Sequence, residues 1–225
     1  MKSFKFSVSS LAIVLSMLML GACNNASKLG AAEKKNGWIT LFNGKNFDGW
    51  RQVNGTSMPT NWVIEDKAMK VFTGEGKKPG QGANGDIIFG NSKFKNFELS
   101  IDWKADKMAN SGIFYYVREV PGKPIYYAAP EIQILDNDGA TDNKVASHLA
   151  GSLYDMLAAD PKTAKPAGEW NTLEITAKGS TLTLWVNGAI TCEVKDCGNP
   201  KGQVGLEGEG YRIEFRNLKI KELKK

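Results

Sequence analysis

The chain is 225 residues long, 42% hydrophobic and 24% charged, with 24 glycines and 8 prolines. That is the composition of a turn-rich globular protein, which excludes a disordered or fibrous chain, and the length suits a single all-β domain that folds without a disulfide or metal staple. The net charge of +5 includes no basic block interleaved with aromatics, so a nucleic-acid partner is not expected.

The first segment reads as an export signal. Lys2 and Lys5 precede an apolar run over residues 8–20, too short to span a bilayer and laid out as a cleavable leader. It ends in Leu20-Gly21-Ala22-Cys23, which resembles the bacterial lipobox, whose cysteine is lipidated and becomes the first mature residue. The alternative is an ordinary secretory signal beside a chance cysteine. The expected organisation is a leader over 1–22, a polar tether over 23–36 and one domain over 37–225. The protein would sit in the cell envelope, held to a membrane by its lipid.

Beyond the tether, short alternating strands recur. Residues 97–103 alternate apolar and polar without a break, as do 173–175 with their flanks and 182–186. Asn187-Gly188 is a strong hairpin signal and returns the chain through 189–194. Residues 204–206 and 213–220 supply the last strands, and residues 145–159 hold a short turn at most. Many half-buried strands separated by glycine-rich breaks predict an all-β, two-sheet antiparallel sandwich. Two cysteines, Cys192 and Cys197, remain in this domain. A local disulfide between them is allowed in an export compartment and is left open. Two cysteines and one histidine supply too few soft ligands for zinc.

Several fragments resemble one family in order along the chain. They are Leu41-Phe42-Asn43-Gly44-Lys45 with Gly49-Trp50; Asn110-Ser111-Gly112-Ile113; Pro130-Glu131-Ile132-Gln133-Ile134-Leu135-Asp136-Asn137; Ala150-Gly151-Ser152-Leu153-Tyr154-Asp155; Gly168-Glu169-Trp170-Asn171; and Glu214-Phe215-Arg216-Asn217-Leu218. Together they resemble the DUF1080, or 3-keto-disaccharide hydrolase, family over about residues 37–223. The resemblance implies a concanavalin-A-like jelly roll on a bacterial lipoprotein. It also implies cleavage of glycosides whose sugar is oxidised to a ketone at C3. A non-catalytic glycan-binding lipoprotein and an ordinary endoglycosidase on the same fold are the competing readings.

The candidate chemistry centres on residues 131–136. Strict alternation sends Ile132 and Ile134 into the core and turns Glu131 and Gln133 outward. Asp136 joins them only if a β-bulge adds a residue. The spacing is similar to the acid-rich strand of jelly-roll endoglucanases, but Gln133 replaces the central acid. A 3-keto sugar offers a route by C2 proton abstraction, β-elimination and hydration. That route needs a base, a donor near the ketone oxygen and an acid for the leaving group. Glu131 is the first candidate base, with Asp136 as a second carboxyl. His148, the sole histidine, is a candidate acid or base, or else a loop residue bonded to backbone. Gln133 and Arg118 are candidate donors to the enolate or to sugar hydroxyls; a surface ion pair with Glu119 or Glu131 is the plainer role for Arg118. Tyr116, Tyr154 and Glu207 are further substrate-binding candidates, Glu207 against a competing ion pair with Arg216. Trp62 heads the sugar-stacking aromatics, with Tyr115, Tyr126, Tyr127 and Trp185. No cofactor is expected. A calcium ion among the oxygens of Asp136-Asn137-Asp138 or Asp142-Asn143 is left open.

Overall fold

The computed structural model describes residues 31–72, 85–90, 92–198 and 200–224. The expected leader and Cys23 lie outside the described residues.

Among the described residues the chain forms thirteen strands: β1 Trp38–Thr40, β2 Trp50–Gln52, β3 Trp62–Glu65, β4 Ala68–Val71, β5 Ile87–Phe89, β6 Phe97–Ala105, β7 Asn110–Val117, β8 Glu131–Leu135, β9 Asn171–Lys178, β10 Thr181–Val186, β11 Ala189–Val194, β12 Gln203–Leu206 and β13 Ile213–Glu222. One sheet runs β11-β10-β9-β6-β13-β4-β3, with β1 also paired to β13, and the other runs β2-β5-β12-β7-β8. The expected all-β sandwich is what forms. The hairpin at residues 187–188 has positive φ at both Asn187 (52°) and Gly188 (83°), as a tight two-residue turn requires. The 145–159 segment contributes one short 3-10 turn, Ala146–His148.

The two sheets bury one core. β9 alternates inward Leu173, Ile175 and Ala177 with outward polar residues, and Phe97, Leu99, Ile101 and Trp103 of β6 do the same beside it. From the smaller sheet Ile113, Ile132, Ile134, Val204 and Leu206 face them. Fully burying a side chain of this size contributes roughly 1.5–3 kcal/mol, so register in both sheets is strongly set.

One irregularity redirects two tyrosines. The pairing of β12 with β7 steps from Gln203↔Val117 to Gly205↔Phe114, so β7 carries one residue more than its partner. This bulge places Tyr116 at φ 56° and turns both Tyr115 and Tyr116 into the core, their ring centroids 5.2 Å apart. Phe114 and Val117 point the other way, into a second apolar cluster with Ile88 and Ile125. That cluster seats the 118–130 loop on the outer face of the smaller sheet.

Candidate active site

The outer face of the smaller sheet carries the acids. β7 and β8 pair in unbroken register, with Gly112↔Gln133 and Phe114↔Glu131. Residues 131 and 133 therefore face the same side as Asn110 and Gly112. Beyond β12 the ladder continues one step, since the Glu207 N–H donates to the Gly112 carbonyl at 2.9 Å. Alternation past Leu206 turns Glu207 outward beside Gly112. Three adjacent strands thus bring Glu131, Gln133 and Glu207 together. Gly112 leaves the space between them open: a Cβ there would lie 2.5 Å from Oε1 of Glu131.

Residues 151–154 add themselves to the edge of β8. Gln133 N donates to Ser152 O, Gly151 N to Gln133 O and Tyr154 N to Glu131 O, at 2.9–3.0 Å, with a bridge between Ile132 and Leu153. Covering this edge satisfies its backbone groups and sets Tyr154 and Asp155 beside Glu131.

The result is a cavity of about 400 Å³ lined by Glu131, Gln133, Glu207 and Glu209 together with Asn110, Tyr154, Asp155, Tyr126 and Met156. Glu207 and Gln133 form its deep part, 5% and 0% exposed. Tyr126 and Met156 stand at the mouth, 60% and 67% exposed. Ile132 and Ile134 are fully buried beneath.

Burial and mutual repulsion shape the chemistry of these acids. Burial, then the charges of Glu209, Asp86, Asp142 and Asp155, push the Glu131 carboxyl up to about 8. Burial first, then Glu131, drives Glu207 well above the ordinary carboxylate range. Glu209 is raised by burial and then by Asp86. Asp86 lies behind them, itself raised by burial while accepting from the Gly208 N–H at 3.1 Å. Burial and neighbouring charge disfavour the ionised form of each carboxyl, so each binds its proton more tightly than it would in water. Two buried amide atoms, Gln133 Nε2 and Asn110 Oδ1, have no hydrogen-bond partner among the described residues.

The other expected site residues fall as follows. Asp136 is not on the cavity wall. No bulge interrupts residues 131–135, so alternation sends it to the opposite side. There its carboxylate accepts from the amides of Met108 at 2.8 Å and Asp138 at 3.2 Å. Tyr116, turned inward by its bulge, donates to Lys95 O at 2.7 Å. Trp62 is likewise a core residue: its Nε1 donates to Gly85 O at 2.6 Å and its ring stacks on Phe215. Arg118 lies beyond the end of β7, exposed and away from the cavity, while Glu119 pairs with Arg51 at 2.6 Å. Glu207 does not meet Arg216, which sits over the Trp170 ring at 3.8 Å on the larger sheet. Tyr154 lines the cavity. His148 stands one layer behind it, ring on ring at 4.2 Å. Cys192 and Cys197 are free thiols, the first buried on β11 and the second exposed.

Most of the candidate calcium-binding groups over residues 136–143 make hydrogen bonds of their own, although Asn143 Oδ1 has no partner among the described residues. Asp136 accepts from backbone amides, the Asn143 side chain donates to Asn137 O and Asp138 O, and Asp142 accepts from His148 and Tyr154. Among the described residues no group of three acids, cysteines or histidines is placed to hold a metal.

Glu209 escapes a sequence reading as a site residue because the flanking glycines mark it as a loop. The signal was its two-residue spacing from Glu207, which repeats the outward alternation. Asn110 and Gly112 were visible only as part of a family fragment.

Residues 37–221 match a family described as the 3-keto-alpha-glucoside-1,2-lyase-like domain. The chain belongs to this family. It is 37% identical to the 3-keto-disaccharide hydrolase of Bacteroides thetaiotaomicron, over 83% of this chain and 79% of that protein. Its fold matches a crystal structure described as a glycosyl hydrolase from Parabacteroides distasonis, with TM-score 0.79 and 25% identity, covering 89% of this chain and all of that one. A Bacillus licheniformis β-glucanase shares the sandwich at TM-score 0.56 and 12% identity, over 84% and 99% of the two chains; at that distance the likeness concerns the fold alone. The 3-keto-alpha-glucoside-1,2-lyase-like domain is here a carbohydrate-active sandwich whose acid-lined cavity lies on the outer face of its smaller sheet.

Proposed function

We propose that this protein cleaves glycosides whose sugar carries a ketone at C3, by elimination across C1–C2 followed by addition of water. The observation that carries this reading is the convergence of Glu131 and Glu207, both buried and both with raised pKa, on one cavity beside an unpartnered buried amide. The name of the Bacteroides thetaiotaomicron relative, a 3-keto-disaccharide hydrolase, supports the substrate class.

The ketone acidifies the C2–H bond. Glu131, with a pKa near 8, is a stronger base than an ordinary carboxylate yet still ionises near neutrality, the compromise that proton abstraction needs. It takes the C2 proton, and the bonding electrons move to the ketone oxygen. The Gln133 amide, fully buried with its N–H free, stabilises that developing oxyanion. The C1–O bond then breaks. Glu207, whose deep burial favours its neutral, protonated form, gives its proton to the departing oxygen. Two carboxyls on one cavity divide the base and acid roles in this way. Water adds to C1 of the resulting enone, its proton returning to C2, and the sum is hydrolysis.

The test is to offer matched 3-keto and unoxidised disaccharides in D2O and follow released sugar by mass spectrometry. Release from the ketone alone, with one deuterium gained at C2, is the expected result. Release from the unoxidised sugar would favour ordinary glycoside hydrolysis, and saturable binding without release would favour a glycan-binding module. We also propose that Cys23 carries a lipid anchor to the cell envelope, on the strength of its Leu20-Gly21-Ala22-Cys23 context. Cys23→Ala should abolish incorporation of labelled palmitate.

A further inference from the structure

His148 is flanked by two carboxylates. Its Nδ1 lies 2.8 Å from Oδ1 of Asp142 and its Nε2 lies 2.7 Å from Oδ1 of Asp155. An ionised carboxylate only accepts hydrogen bonds, and a neutral imidazole has a single N–H. With a neutral ring, one of the two contacts would set a nitrogen lone pair against a carboxylate oxygen. With both aspartates ionised, the two contacts are satisfied together only by an imidazolium.

The same group reaches the cavity wall twice. Asp155 lines the cavity. Asp142 uses its other oxygen to accept from the Tyr154 hydroxyl at 3.0 Å, and Tyr154, stacked on the imidazole at 4.2 Å, lines the cavity too. Tyr154, Asp142, His148 and Asp155 therefore form one chain of hydrogen bonds whose two ends face the substrate space while its middle does not.

We infer that His148 is a positioning residue, a fixed imidazolium that clasps Asp155 directly and Tyr154 through Asp142 against the wall of the active cavity. It exchanges no proton with substrate, because both ring nitrogens are committed to carboxylates. On this reading its role is not that of the catalytic acid or base that the sequence suggests. The charged groups around it are Asp142 and Asp155 on its own loop, with Glu131 of β8 and Glu209 beyond β12 in electrostatic range of one or both aspartates. The hydrogen bonds to Asp155 and then Asp142 raise the ring's pKa. The clasp is thus complete below that raised value and loses a donor as pH rises through it.

The kinetic part rests on the proposed cleavage of 3-keto glycosides; the spectroscopic part does not. Because His148 is the sole histidine, its ring nitrogens are assigned without ambiguity in the 15N-labelled full chain. At neutral pH both nitrogens should show the protonated shift, with a midpoint above the ordinary value. A neutral tautomer at neutral pH overturns the inference whether or not any sugar is cleaved. With a 3-keto disaccharide, His148→Gln should raise KM about tenfold, the scale of one charged hydrogen bond, and should change kcat far less. His148→Arg, which keeps a cation with several donors, should recover most of that loss. Equal collapse of kcat in both variants, with KM unmoved and the fold intact by circular dichroism, would make His148 a proton-transfer group and overturn the assignment.

Discussion

The Glu131 carboxyl lies directly over Gly112, so that a Cβ on the glycine would come 2.5 Å from Oε1 and 2.8 Å from Cγ. The two residues sit on neighbouring strands, diagonal to each other across β7 and β8. A side chain at position 112 would therefore displace the proposed base. Gly112→Ala should lower kcat by about a hundredfold, the usual cost of misplacing a reacting group by an ångström, while lowering Tm only slightly. Steady-state kinetics beside a thermal melt checks this; near-normal kcat would mean that Glu131 has another productive position.

The raised Glu131 pKa has a consequence for stability. Its carboxyl titrates at about 8 in the folded chain against 4.5 as a reference. The folded state therefore holds the proton more tightly, and its contribution is complete below 4.5 and lost as pH rises toward 8. Glu207, Glu209 and His148 are shifted in the same direction. Tm should fall across that window. Glu131→Gln should flatten the fall while abolishing turnover. A wild-type Tm that rises with pH would contradict this electrostatic picture.

Asp136 separates structure from chemistry. Its carboxylate satisfies the amides of Met108 and Asp138 from a buried position. Asp136→Ala leaves both donors without that acceptor and should destabilise the fold by about 3 kcal/mol. Denaturant unfolding measures that loss. Activity at ambient temperature should stay within about twofold, whereas a hundredfold loss would return Asp136 to the site.

Tyr126 and Met156 flank the cavity mouth and are exposed, so truncating either tests binding with little risk to folding. Tyr126→Ala should raise KM about fivefold, the scale of losing one ring contact with a sugar face, with kcat nearly unchanged. A fall in kcat alone would point instead to a role in the chemical step.

The local rules of the chain were legible in its residues. Period-two alternation over residues 97–103, 173–175 and 182–186, and the Asn187-Gly188 turn, depend on side-chain direction and backbone sterics, which act within a few residues. So does the outward turn of Glu131 and Gln133 over buried Ile132 and Ile134. Three things were decided only by the tertiary structure. The bulge that carries Tyr116 inward exists because β7 must match β12, a strand almost ninety residues later in the chain, so nothing local to that tyrosine marks it as a core residue. Trp62 is a core residue because Phe215 and the Gly85 carbonyl lie against it, and neither is close in sequence. The acid cluster forms because β8, β7 and the extension of β12 are neighbours. Strand order depends on long-range pairing, and the burial that raises each carboxyl's pKa depends on what that pairing brings to rest beside it.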